Sequence, residues 1–118
     1  MSGQSAQVEA PPQKQQQPQA QPPKPRQQPP HAVIVLNDND HTFLYVIDVL
    51  RRICRCNIAD AQKLTWKIHH HGKAVVWTGS KEVAELKRDQ IRGYGPDFYA
   101  MQPVKFPLGV RIEPMPGG

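Results

Sequence analysis

Apolar residues follow no regular spacing before position 31, and from there they recur to the end of the chain, first as a continuous run and then at helical intervals. Ala32-Val33-Ile34-Val35-Leu36 reads as a short strand, covered on both faces or lying at the centre of a sheet. It stops at Asn37-Asp38-Asn39-Asp40, a cluster too polar to continue a strand, in which Asp40, or Thr42 just beyond it, can accept from the first free amides of a helix. Phe43, Val46, Ile47, Leu50, Ile53 and Cys54 then share one helical face, with Asp48, Arg51, Arg52 and Arg55 outside it. Asn57 caps a second helix, with Asp60 at its third position, Ala61, Leu64, Thr65 and Ile68 on its inner face and Gly72 at its end. Lys73 to Thr78 reads as a strand, Gly79-Ser80 as turn and N-cap, and Lys81 to Arg92 as a third helix stopped by Gly93. Gly95-Pro96-Asp97 is a loop, and the alternation at Val110 and Ile112 places a last strand near Gly109 to Glu113. The order strand-helix-helix-strand-helix-strand predicts a single small α+β domain, a three-stranded antiparallel sheet packed against three helices.

Composition sets the limits of that domain. Gln and Pro fill eighteen of the first thirty positions, and Met1, Ala6, Val8, Ala10 and Ala20 are the only apolar side chains there. Such a segment cannot bury enough apolar surface to offset its ordering entropy, so residues 1–30 are expected to be a disordered extension and residues 31–118 the folded core. The net charge of +5 falls to +3 on the core, because the extension holds three basic residues against Glu9. Basic and acidic residues are interspersed there, with no RNP-type motif or zinc-finger spacing, so no nucleic-acid partner is expected. No apolar run approaches a membrane span. Cys54 and Cys56 are too close along one helix for easy bridging, which fits a reducing, cytoplasmic compartment.

Three constellations could carry chemistry. His69-His70-His71 suggests a metal, but successive helical residues point about 100° apart and cannot all face one ion. A helix C-terminus favours histidine through its dipole, and no metal or other cofactor is expected. The cysteines lack a nucleophile's setting, and Cys54 falls on the buried stripe, so both are read as packing residues and no enzymatic activity is expected. Trp66 and Trp77 are read as core or rim aromatics. The cluster from Asn37 to Asp40 stands apart, because capping accounts for one or two of its four polar residues but not for all.

Four blocks resemble the ClpS adaptors in order and spacing: Val33-Ile34-Val35-Leu36-Asn37-Asp38; Tyr45-Val46-Ile47-Asp48-Val49-Leu50; Ile68-His69 with Gly72-Lys73-Ala74; and Glu82-Val83-Ala84-Glu85 with Lys87. The resemblance runs from residue 32 to about residue 114. It implies that Asn37, Asp38 and His69 hold the α-amino group of a substrate's first residue. An amide oxygen, a carboxylate and a neutral imidazole nitrogen suit the three donors of an ammonium. By family position, the walls of an adjoining side-chain pocket are Val35, His41, Phe43, Val46, Thr65 and Ile68. The chain departs from the common pattern at Asn39, where a second aspartate is frequent, at His41 in place of Thr or Asn, and at Phe43 and Thr65, where methionines are frequent. Phe43 could face the pocket or, by its helical phase, the core.

The resemblance further implies contacts from Glu82 and Lys87 to an unfoldase. The expected function is that of a monomeric adaptor that binds the free α-amino group and bulky hydrophobic side chain of N-degron substrates and delivers them to a ClpA- or ClpC-like AAA+ unfoldase and its protease. The alternative is a general interaction module of the ribosomal L7/L12 C-terminal type, which has a similar layered fold and no need of an amine clamp.

Overall fold

The computed structural model describes residues 28–116; the expectation for residues 1–30 lies outside them except at Gln28, Pro29 and Pro30. Six elements follow in the expected order: β1 (His31–Leu36), α1 (Phe43–Arg52), α2 (Ile58–His71), β2 (Lys73–Gly79), α3 (Lys81–Arg92) and β3 (Val110–Pro114). The sheet is antiparallel with β1 in the middle, in the order β2-β1-β3. A central position explains the unbroken apolar run, since Ala32 to Val35 are all buried.

Side chains alternate along β1. Val33 and Val35 join the main core with Ala74, Val76 and Val110, while Ala32 and Ile34 fall on the opposite face. Pairing shifts once, where Val33 lies opposite Trp77 and Ile34 opposite Val75, so Val76 is an extra residue in β2. Alternation turns Ala74 and Val76 into the core, and the bulge brings Trp77, opposite Val33, against that same core. β2 runs to Gly79, which pairs with His31, so the strand takes in the first residue of the expected turn.

The helices begin where capping residues dictate. Thr42 Oγ1 accepts from Tyr45 N, Asn57 Oδ1 from Asp60 N and Ser80 Oγ from Val83 N, which satisfies amides that the first turn leaves free. Of the two caps the sequence allows for α1, Thr42 is the one used. α1 buries Tyr45, Val46, Val49 and Leu50. It ends at Arg52, with Ile53 as cap, so Ile53 and Cys54 complete the buried stripe from the turn beyond the helix. Arg55 stands there at φ 64°, in the left-handed region. Leu50, Ile91 and Leu108 are almost wholly buried, and each such side chain stabilises the fold by roughly 1.5–3 kcal/mol.

Between α3 and β3 the chain crosses back over the start of α1 with almost no regular structure. Asp97 and Val104 form an isolated antiparallel bridge within it. Asp97 is completely buried and accepts from Thr42 N (2.7 Å), Thr42 Oγ1 (3.3 Å) and Tyr99 N (2.9 Å). Tyr45 donates its hydroxyl to Gly95 O at 2.6 Å, and Leu36 N donates to Gly109 O at 2.9 Å. The connection is thereby fastened to both ends of the β1–α1 turn.

Candidate functional site

The end of β1 meets the end of α2 through one backbone bond, from Asn37 N to Gly72 O at 2.8 Å. Gly72 makes this possible. At φ 86° it takes the left-handed conformation in which glycine closes a helix, and its N–H returns to Ile68 O. His69, in the last turn of α2, is thus carried to the mouth of a concavity that Asn37 and Asp38 border from the other side.

That concavity has a volume of about 190 Å³, below the ~300–1,000 Å³ of pockets that enclose a drug-sized ligand. It has room for one side chain. Phe43 and Val46 of α1 and Thr65 and Ile68 of α2 form its apolar walls, and Asn39 and His41 close it from the turn. Thr65 adds little polarity, because its hydroxyl donates to Ala61 O at 2.7 Å. A wider depression of about 780 Å³ beside Pro29, Pro30 and the start of α3 is lined by residues of mixed charge and lacks such apolar walls.

Eight of the residues singled out in the sequence therefore meet at one place: Asn37, Asp38, His41, Phe43, Val46, Thr65, Ile68 and His69. Val35 does not join them. It is fully buried in the core and faces inward with Val33 along β1, one residue short of the point where the strand opens into the turn. Phe43 is half-buried, outside the buried core, and packs edge-on against Trp66 at 4.9 Å and His69 at 5.2 Å. It faces the pocket. The three histidines diverge: His69 borders the pocket, His70 stacks on Trp66 at 5.1 Å and 13°, and His71 is exposed.

Asp38 is held from within its own turn. Oδ1 accepts from Asp40 N at 2.8 Å and His41 N at 2.7 Å, and Oδ2 lies 2.6 Å from His41 Nδ1. Burial pushes its carboxyl up, but those hydrogen bonds together with the His41 charge outweigh it and hold the group below the usual carboxylate range. His41 reaches further, with Nε2 3.0 Å from Phe106 O. Its ring stacks on Tyr45 at 5.0 Å and meets the Phe106 ring edge-on at 5.0 Å. Neither Asp97 nor Phe106 was marked as functional by the sequence, because both act across more than fifty residues of chain and neither carries a local pattern.

Away from this pocket, Lys87 and Glu82 do not form an ion pair among the described residues. Lys87 Nζ donates to Ile53 O at 2.8 Å and lies 5.6 Å from the centre of the Trp77 ring, so it satisfies a carbonyl at the end of α1, while Glu82 is exposed. Burial pushes the Cys54 thiol up to about 12, with Cys56 adding to the shift and Lys87 opposing it. A thiol so protonated is a poor nucleophile and metal ligand.

Fold and pocket together define a small α+β domain built around one side-chain-sized cavity under a group of polar acceptors. The chain belongs to the ClpS family: residues 26–103 match the family model described as ATP-dependent Clp protease adaptor protein ClpS. It is therefore an adaptor of the Clp protease by family, not itself of a protease family. Among its relatives, the ClpS adapter protein of Nostoc sp. is 41% identical over 68 residues, which are 57% of this chain and 70% of the relative. That of Thermosynechococcus vestitus is 37% identical over 76 residues, 64% of this chain and 81% of the relative. The structure of Agrobacterium tumefaciens ClpS2 bound to L-phenylalaninamide is similar with a TM-score of 0.61 at 25% identity, covering 75% of this chain and all of that one. Among the described residues, no helix is long and apolar enough to cross a membrane.

Proposed function

We propose that the chain holds the free α-amino group and first side chain of an N-degron substrate and presents that substrate to a ClpA- or ClpC-type AAA+ unfoldase. The observation that carries this reading is the meeting of Asn37, Asp38 and His69 at the mouth of a pocket walled by Phe43, Val46, Thr65 and Ile68. An α-ammonium offers three donors, and the Asn37 amide oxygen, the Asp38 carboxylate and a neutral His69 imidazole are three acceptors. Capture of a free N-terminus beside an apolar pocket selects a bulky hydrophobic first residue. L-Phenylalaninamide, bound by the Agrobacterium relative, is such a ligand, a free α-amino group on an aromatic residue.

In this reading no bond of the substrate is broken by the adaptor, which acts in the cytoplasm as a monomer. Glu82, exposed on α3, is available to an unfoldase, whereas Lys87 serves α3 and α1 first. The test is a peptide initiated by Leu or Phe, compared with its N-acetylated form by calorimetry. Acetylation removes the charge and two of the three N–H donors, and a hydrogen bond to a charged group is worth roughly 1.5–3 kcal/mol, so affinity should fall by more than about a hundredfold. Equal binding of the two peptides refutes the amine clamp.

A further inference from the structure

We infer that His41 and the substrate's ammonium compete for Asp38, so that capture of an N-terminus is coupled to release of a proton from the His41 ring. The inference rests on the amine-clamp reading and concerns a residue at which the chain departs from the family pattern.

The His41 side chain is 1% exposed, and both its nitrogens face oxygens. Nδ1 is 2.6 Å from Asp38 Oδ2, and Nε2 is 3.0 Å from Phe106 O. An ionised carboxylate and a backbone carbonyl only accept. A neutral imidazole carries one N–H and leaves one of these oxygens facing a lone pair, whereas the imidazolium donates to both. Asp38 bonds the ring from the β1–α1 turn, and Asp97, from the α3–β3 connection, accepts from the backbone of the next residue, Thr42. Tyr45 of α1 stacks on the ring, but its hydroxyl is turned to Gly95 O. His69 of α2 lines the same pocket.

Asp38 has limited capacity left for a ligand. A carboxylate has about four acceptor sites, and three are taken by Asp40 N, His41 N and His41 Nδ1. The free site is on Oδ2, the oxygen that His41 already holds. A bound ammonium there would lie roughly 4–5 Å from Nδ1, given ordinary hydrogen-bond lengths. In a half-buried site two such cations repel one another, and each lowers the other's hold on the shared anion. Loss of the Nε2 proton to solvent relieves the repulsion. Nδ1–H stays on Asp38, and Phe106 O, on an exposed residue, exchanges the imidazole for water. The free clamp therefore carries a proton where the loaded clamp carries a substrate.

The test uses the full chain and a Phe-initiated peptide, titrated by calorimetry near pH 6 in two buffers of different ionisation enthalpy, which counts the protons exchanged. His41→Asn keeps a neutral donor for Asp38 and removes the titrating ring; His69 remains in both proteins, so the comparison isolates His41. The wild type should release more protons than H41N. Its affinity should also fall more steeply between about pH 7.5 and 5.5, by up to about tenfold per pH unit for one proton. Equal proton release with parallel profiles overturns the coupling. Should H41N fail to fold, nitrogen-15 spectra of the histidine rings in the wild type decide: addition of peptide near pH 6 should convert His41 Nε2 from protonated to bare, and an unchanged His41 overturns the coupling. The acetylated peptide keeps the two readings apart. If it binds as well as the free one, the clamp itself fails; if only the free peptide binds and the His41 ring does not respond, the clamp stands and the coupling falls.

Discussion

Asp38 accepts three hydrogen bonds before any ligand arrives, so it shapes the turn as well as the site. Its carboxyl is held below the usual range in the fold, which fixes the sign of its effect on stability. A depressed carboxylate contributes stability that is present above the unfolded pKa and is lost as pH falls through the folded one. The melting temperature of Asp38→Asn should therefore lie below that of the wild type near pH 7, and the gap should close as pH drops below about 4, the usual carboxylate value. A gap unchanged at about pH 2.5 would show that the charge of Asp38 does not support the turn. The excess polarity of Asn37 to Asp40 made this residue legible in the sequence. The part played by His41 was not, since its partner Phe106 lies 65 residues away. Val35 lies in the core and not among the residues lining the pocket, because strand alternation and not family position decides which way a side chain points.

At the scale of elements, α1 and α2 pack together and wall the pocket with Phe43 and Val46 from one helix and Thr65 and Ile68 from the other. Phe43 is half-buried and lies outside the buried core. Phe43→Ala should thus cost less than the roughly 3–5 kcal/mol of a buried phenylalanine, while enlarging the pocket enough to admit β-branched first residues. Thermal melts run beside a panel of peptides differing at position one separate the two effects; a large fall in melting temperature with unchanged selectivity would return Phe43 to the core. The helices were legible because their ends carry their own chemistry, at Thr42, Asn57, Gly72 and Ser80. The α3–β3 connection was not. It is held by Asp97 on Thr42, Tyr45 on Gly95 and Leu36 on Gly109, contacts between distant residues that leave no periodicity to read.

For the whole molecule, element order and the α+β class followed from the pattern of apolar residues, and the unbroken run of β1 left its central place in the order β2-β1-β3 as one of two readings, because an apolar run names a strand's covered faces and not its neighbours. Delivery tests the division of labour between extension and core. Removal of residues 1–27 keeps Pro30, whose carbonyl accepts from Met115 N, and removes no pocket residue. Peptide affinity should stay within about twofold, because every residue lining the pocket is retained. Degradation of an N-degron substrate by the unfoldase and protease should fall severely, and delivery at the full rate would mean that the hand-off rests on the folded surface alone. The central place of β1 has a consequence for the chain's synthesis. Ribosomes release β1, the polar turn, α1 and α2 first, yet β1 lacks its second neighbour until Val110–Pro114 emerges, and the turn lacks Asp97 and Phe106 until shortly before. Domains of this kind close only when their distant pairings can form. A nascent copy thus displays Asn37, Asp38 and His69 well before the turn between β1 and α1 is braced, and the pocket they border is completed only once β3 has paired with β1.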